Sequence, residues 1–327
     1  MKFNNKHKML ANCTLLISGP LISRVKENEL IKYFSILNEL KNQYGLIIVI
    51  STYPNELTQA LKNFQFRFIL NNDPGLDSYY TGIKKLGKRA NKVTRNTTRM
   101  LSTTSLGLSQ VRTEYVIKTR VEILPSKIEF ARVLYRVLEN YLESEIIVFL
   151  AEQYTGLTYS EKTPLLLWVP DTFQIMRTRD GLKLWEGALD LWQKYKINLV
   201  GRSFNTDLAN EQVLGLSLVN NFIEPLSERI VKKFHRNTCS LQFIRANLKF
   251  EFYLFRSVYY DALFLGEGRF RWNKKQSPTI TLPLSQTKIQ KNLIVLNFLV
   301  RAQIFNLRRI LSKTINLLTQ FKYRIRN

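Results

Sequence analysis

The chain predicts an α/β domain with a largely parallel, doubly wound sheet, and three observations carry that prediction. Short apolar runs rich in Ile, Val and aromatic residues alternate with helix-period segments through residues 14–153. Such an alternation suits a sheet covered on both faces by helices. Polar clusters follow the carboxyl ends of the runs, where doubly wound sheets bind their ligands. With 327 residues, 45% of them hydrophobic, the chain can bury one large core and still carry an appendage.

Taken in order, the predicted strands cover residues 14–22, 46–51, 66–71, 115–122 and 145–150. A helix between the first two is marked by Leu30, Phe34, Leu37 and Leu40 at 3–4 spacing, after an acidic start at Glu27 and Glu29 that complements the helix dipole. Val133, Val137 and Tyr141 mark another after Pro125-Ser126. The run 165–169 leads into Pro170-Asp171 and then a helix with Leu182, Trp185, Leu189 and Trp192 on one face. Asn210 is an N-cap for a helix opening with Glu211-Gln212. The alternation fades after about residue 225, which places a nucleotide-binding α/β domain at residues 1–225 and a mainly helical, basic region at 226–327.

Composition excludes several classes. Cys13 and Cys239 are too few for a disulfide framework, and His7 and His235 are too far apart for zinc-ligand spacing. There is no P-loop and no G-x-G-x-x-G dinucleotide fingerprint. The basic start at residues 1–9 leads into a first strand rather than a signal peptide, and no apolar run reaches the ~18 residues that span a bilayer. The net charge of +24 is uneven: residues 268–327 hold 13 basic residues and no acidic one. A segment of one sign calls for an anionic counter-surface.

The candidate site residues sit at the strand ends. Ser51-Thr52 closes the second predicted strand. Asn72-Asp73-Pro74-Gly75 closes the third, as turn chemistry or as a nucleotide contact. Asn96 and Arg99 fall at i, i+3 on one helical face, either solvated or holding phosphate oxygens. Lys118, Arg120 and Glu122 alternate along the fourth strand, so period-2 geometry turns all three to one side. A carboxylate there can hold a divalent metal that neutralises a diphosphate. Asp171 and Glu211 are the two candidates for a general base.

In this order the motifs resemble the WavE family of lipopolysaccharide-synthesis proteins, which look like GT-A-type glycosyltransferases. The resemblance rests on Ser18-Gly19-Pro20, Ser51-Thr52-Tyr53, Asn72-Asp73-Pro74-Gly75, Asn96-Thr-Thr-Arg99 and Gly107-Leu108. Tyr115 to Arg120, Asp171-Thr-Phe, Asp180, Leu184-Trp185 and Glu211-Gln212 extend it, so that it covers about residues 14–220. It implies a GT-A-like, Rossmann-like sheet that binds a nucleotide-diphospho-sugar donor, and a lipid-linked acceptor in a growing surface glycan such as a lipopolysaccharide core, O-chain or capsule. It implies that Asp73 contacts the nucleotide and that Asn96, Arg99, Lys118 and Arg120 line the diphosphate. Glu122 stands where the family pattern has Asp for a divalent cation (Mn2+ or Mg2+), and with Lys118 and Arg120 beside it the cations themselves are the rival neutralisers. Glu211 ranks above Asp171 as base.

Residues 286–320 carry apolar residues at helix period, from Ile289 to Leu318, interspersed with Lys and Arg. A basic amphipathic helix of this kind suits the anionic inner face of the cytoplasmic membrane, where the protein is expected to sit as a peripheral enzyme. Two other functions compete: a nucleic-acid-binding protein, for which no recognition signature accompanies the charge, and an inactive homologue that only binds glycans.

Overall fold

The computed structural model describes residues 11–81, 91–121, 148–149, 169, 171, 173–199, 210–223, 225–228 and 231. Its centre is a six-stranded sheet in the order β3-β2-β1-β6-β8-β7. The strands are β1 (Cys13–Ser18), β2 (Ile47–Thr52), β3 (Arg67–Leu70), β6 (Tyr115–Thr119), β7 (Val148–Phe149) and β8 (Phe173–Arg177). β3, β2, β1 and β6 run parallel, whereas β8 is antiparallel to both β6 and β7. The chain moves outward from β1 to β3 and then returns to the other side of β1 to lay down β6. A crevice opens at such a reversal of strand order, outside the carboxyl ends of β1 and β6.

Helix α1 (Glu27–Tyr44) connects β1 to β2 and buries Leu30, Tyr33, Phe34, Leu37 and Leu40, the stripe its spacing predicts. Phe34 meets Phe64 and Phe66 edge-on, each at a ring separation of 5.4 Å. Burial of one such ring stabilises by about 1.5–3 kcal/mol. A short helix, α2 (Gln59–Lys62), precedes β3. Helix α3 (Thr97–Ser109) packs on β1 and β2 at Gly107, where a Cβ would stand 2.8 Å from Leu16 Cδ1 and 2.9 Å from Ser51 Cβ. Only a glycine lets helix and sheet approach so closely there. Helix α4 (Thr178–Leu199) packs against α3 and against α5 (Asn210–Leu218), burying Leu184, Trp185, Ala188, Trp192 and Tyr195.

Several expected bounds shift for physical reasons. β1 stops at Ser18 rather than continuing to 22, because Gly19 takes φ 112°, open to glycine alone, and donates its N–H to the Ser51 carbonyl at 3.0 Å. The fourth predicted strand ends at Thr119, so Arg120 lies just past it. A two-stranded hairpin, β4 (Asp77–Thr81) with β5 (Asn91–Arg95), was not expected. Among the described residues its strands pair only with each other. The antiparallel β8 was also unforeseen. Glu122, the helix expected around 133–141 and the basic region beyond 231 lie outside the described residues. Among the described residues, no helix is long and apolar enough to cross a membrane.

Candidate functional site

A cavity of about 440 Å³ opens at the carboxyl ends of β1, β2 and β6, the place where the strand order reverses. The loop after β1 supplies Ser18, Gly19, Pro20 and Arg24, and the residue after β2 supplies Tyr53. The hairpin and the start of α3 add Leu76, Arg95, Asn96 and Arg99, and Lys118 and Arg120 form its far side with Asn210. Five basic side chains thus converge from separate elements, and among the described residues no carboxylate lines the space.

Each wall has a local cause. The β1 loop is held by Glu56, a buried carboxylate that accepts the N–H groups of Leu21 at 2.9 Å and Ser23 at 3.0 Å. That anchor presents Arg24 at the rim. Arg99 is fixed from two sides: its guanidinium lies 4.8 Å over the Tyr53 ring and donates to Asp73 Oδ2 at 2.6 Å. Tyr53 donates its hydroxyl to the Arg99 carbonyl at 3.0 Å. Burial pushes the Tyr53 phenol up, with the bond to Thr103 and the charge of Arg99 pulling the other way, so it stays a neutral donor.

Lys118 is fully buried. Its ammonium lies 4.6 Å from the Trp185 ring and donates to the Asp171 carbonyl oxygen. Arg120 stands 3.5 Å from the Asp171 carboxylate, itself only 4% exposed. Asn210 donates to Asn96 Oδ1 at 3.2 Å and accepts from the Thr97 hydroxyl, joining the first residues of α5 to the start of α3.

The predicted residues therefore divide. Asn96, Arg99, Lys118 and Arg120 line the cavity. Asp73 stands beside it as the partner of Arg99, and its Oδ1 also accepts the Gly75 N–H at 2.9 Å, so its turn role and its site role coexist. Ser51 and Thr52 lie underneath, fully buried: Ser51 donates to the Thr103 carbonyl at 2.7 Å and accepts from Asn71 at 2.9 Å. Their neighbour Tyr53 is the residue that meets the cavity. Asp171 reaches the site through Arg120, whereas Glu211 sits half-buried in the first turn of α5 next to Asn210. The Glu211 carbonyl accepts the Val169 N–H at 3.1 Å, which ties the backbone two residues before Asp171 to the start of α5.

Sequence reasoning missed Arg24, Arg95 and Asp77. Arg24 is one charge in an irregular loop, and nothing in its pattern points inward. Asp77 opens the unforeseen hairpin. It accepts the Thr98 N–H at 2.8 Å and the Thr98 hydroxyl at 2.7 Å, and pairs with Lys196, so it caps α3 from outside the helix. Burial alone would raise its carboxyl, but the bonds from Lys196 and Thr98 outweigh burial and hold it below the ordinary value of 3.8. Cys13 behaves as an inert thiol, pushed up to about 12 by burial and then by Glu114.

A divalent cation would need clustered carboxylates. Among the described residues no three His, Cys, Asp or Glu side chains group together, and Asp73 and Asp171 are each turned to an arginine. Among the described residues the lining does not fit a metal site, and Glu122, the residue expected to hold one, lies outside them.

A sequence profile described as WavE lipopolysaccharide synthesis matches residues 13–250, from the first residue of β1 past the end of α5. No curated protein matches the chain.

Proposed function

The chain belongs to the WavE family of lipopolysaccharide synthesis, and from that premise we propose that it is a GT-A-type glycosyltransferase. It moves a sugar from a nucleotide-diphospho-sugar to a lipid-linked, growing surface glycan. One observation carries the reading: a cation-lined cavity at the strand-order reversal, where α/β sheets of this kind take nucleotide ligands.

The chemistry divides among this chain's residues. Asp73 meets the nucleotide, and Asn96, Arg99, Lys118 and Arg120 meet the diphosphate. A carboxylate, Glu211 ahead of Asp171, takes the proton from an acceptor hydroxyl. The hydroxyl oxygen then bonds to the anomeric carbon of the donor sugar. The bond from that carbon to the diphosphate oxygen breaks, and the leaving nucleoside diphosphate keeps the electron pair. Cations placed where that negative charge develops lower the barrier. The basic region at 226–327 docks the enzyme on the anionic inner face of the cytoplasmic membrane, where the lipid-linked acceptor is held.

A thermal-shift screen of uridine, cytidine and guanosine diphosphates tests the donor site: at least one should raise Tm, and no shift with any of them, with or without Mn2+, would count against the reading. Glu211→Gln should cut sugar transfer by roughly 10²–10⁴-fold while leaving donor binding intact. Full activity in that variant moves the base to Asp171, and full activity in Asp171→Asn as well removes both. Sedimentation with anionic but not neutral vesicles checks the membrane role.

A further inference from the structure

Lys118 is fully buried in the cavity wall, and burying an ammonium costs several kcal/mol unless something repays it. Its ammonium meets the Asp171 carbonyl and the Trp185 ring, and Arg99 and Arg120 line the same cavity beside it. Arg24 and Arg95, which lie outside every recognisable motif, extend that group around the opening. A solvated charge run would put its basic residues on one outward face of one element. Here they come from the β1 loop, the end of β5, the first turn of α3 and the end of β6.

We infer that this cavity neutralises the diphosphate of a bound nucleotide with its own side chains and needs no divalent ion to do so, Arg24 and Arg95 closing a cage begun by Arg99, Lys118 and Arg120. The inference rests on the transferase reading and deepens it. A terminal phosphate carries about −1.5 to −2 at neutral pH, and the inner phosphate adds a further negative charge. Guanidinium groups match such oxygens as planar, two-pronged donors, which a metal with its own hydration shell replaces only when carboxylates hold it. The start of α3, where Asn96, Arg99 and Met100 face the cavity, adds the positive end of a helix dipole. The scaffold is rigid where it must be: Glu56 pins the Arg24 loop, and Asp77 pins the base of the hairpin that ends in Arg95.

The test is calorimetric titration of the full chain with inorganic pyrophosphate and with uridine, cytidine and guanosine diphosphates, in EDTA and in Mn2+. Pyrophosphate should bind in EDTA, with Mn2+ changing its Kd by less than about threefold. Arg24→Ala and Arg95→Ala should each weaken it roughly tenfold or more, and the Arg24→Lys and Arg95→Lys variants should recover part of that loss. Arg24 is exposed, so its variants fold even where others fail. Binding that appears only with Mn2+, or that is indifferent to both alanine variants, overturns the inference and leaves a metal-dependent transferase standing. Pyrophosphate binding in EDTA without binding of any nucleoside diphosphate supports the cage and sinks the transferase instead.

Discussion

The two sides of β6 are built from different chemistry. Towards β1 and β2 the sheet is mainly apolar, with buried hydroxyls confined to the strand ends: Leu15, Leu16, Ile17, Ile48, Val49, Ile50, Val116 and Ile117 are all buried, under α1 and α3. Towards β8 and the helices beyond it, buried apolar residues such as Ile175, Met176 and Trp185 are interleaved with buried polar ones: Lys118 and Thr119 on β6, Gln174 opposite Lys118, then Asp171. Trp185 donates to Gln174 at 2.8 Å, Trp192 to the Thr98 hydroxyl at 3.0 Å, and Lys196 pairs with Asp77. The apolar side can be replaced in parts by similar volume. The polar side is a set of small hydrogen-bonded groups in which each member satisfies another. It adjoins the cavity, so the second half of the domain is fastened to the first through the site.

The largest expected effect lies on the apolar side. Leu16→Ala removes a fully buried side chain from the central strand and should cost about 3 kcal/mol in chemical denaturation, with the transition still cooperative. Leu16 Cδ1 also sets the closest approach of α3, so Gly107→Ala should cost about 1–3 kcal/mol alone. In the Leu16→Ala background it should cost clearly less, since one of its two clashes has gone. Additive losses would mean that α3 is seated by something other than this contact.

An intermediate effect tests the polar side. Asp77→Asn leaves Lys196 without its partner and weakens the cap on α3, for a cost of about 2 kcal/mol at neutral pH. The carboxyl is held below its ordinary 3.8, so its contribution is complete above that value and disappears as pH falls through the lowered one. The wild-type advantage should therefore be constant from neutral pH down to about 4 and vanish in stronger acid. A difference that persists unchanged in strong acid would show that the Asp77 charge is not what holds the hairpin to α3 and α4.

The same contrast explains what was legible in the sequence. Periodicity reports apolar burial, so β1, β2, β3, β6, α1 and the buried face of α4 were readable as patterns. Arg99, Lys118 and Arg120 were readable because each falls at a strand end or on a helix face whose geometry is set by that pattern. The hairpin of β4 and β5, the antiparallel turn into β8, and the inward placement of Arg24 and Arg95 depend on polar partners distant in sequence. Asp77 finds Lys196 119 residues away, and Asn96 finds Asn210 at a separation of 114. No local spacing encodes such pairs. Ser51 shows the converse: a hydroxyl at a strand end looks functional, yet its bonds to Thr103 and Asn71 commit it to seating α3 on the sheet.

The smallest expected effect on stability is the most discriminating. Lys118→Met keeps an unbranched chain of nearly the same volume at a fully buried position and discards its charge. Two terms then oppose each other: the Asp171 carbonyl loses a donor, and the fold no longer has to bury an ammonium against Trp185. The net change should lie within about 1 kcal/mol of zero by denaturant titration, far below the cost of Leu16→Ala. Sugar transfer should nevertheless fall by on the order of 10²-fold if the cavity holds the proposed diphosphate, since the charge lies in its wall. If the variant instead loses as much stability as Leu16→Ala while transfer per folded molecule is unchanged, the polar side of β6 is structural and the contrast fails. A stable, inactive Lys118→Met protein would mean that Lys118 is there for the ligand, at a cost the fold accepts on one side of β6 and avoids on the other.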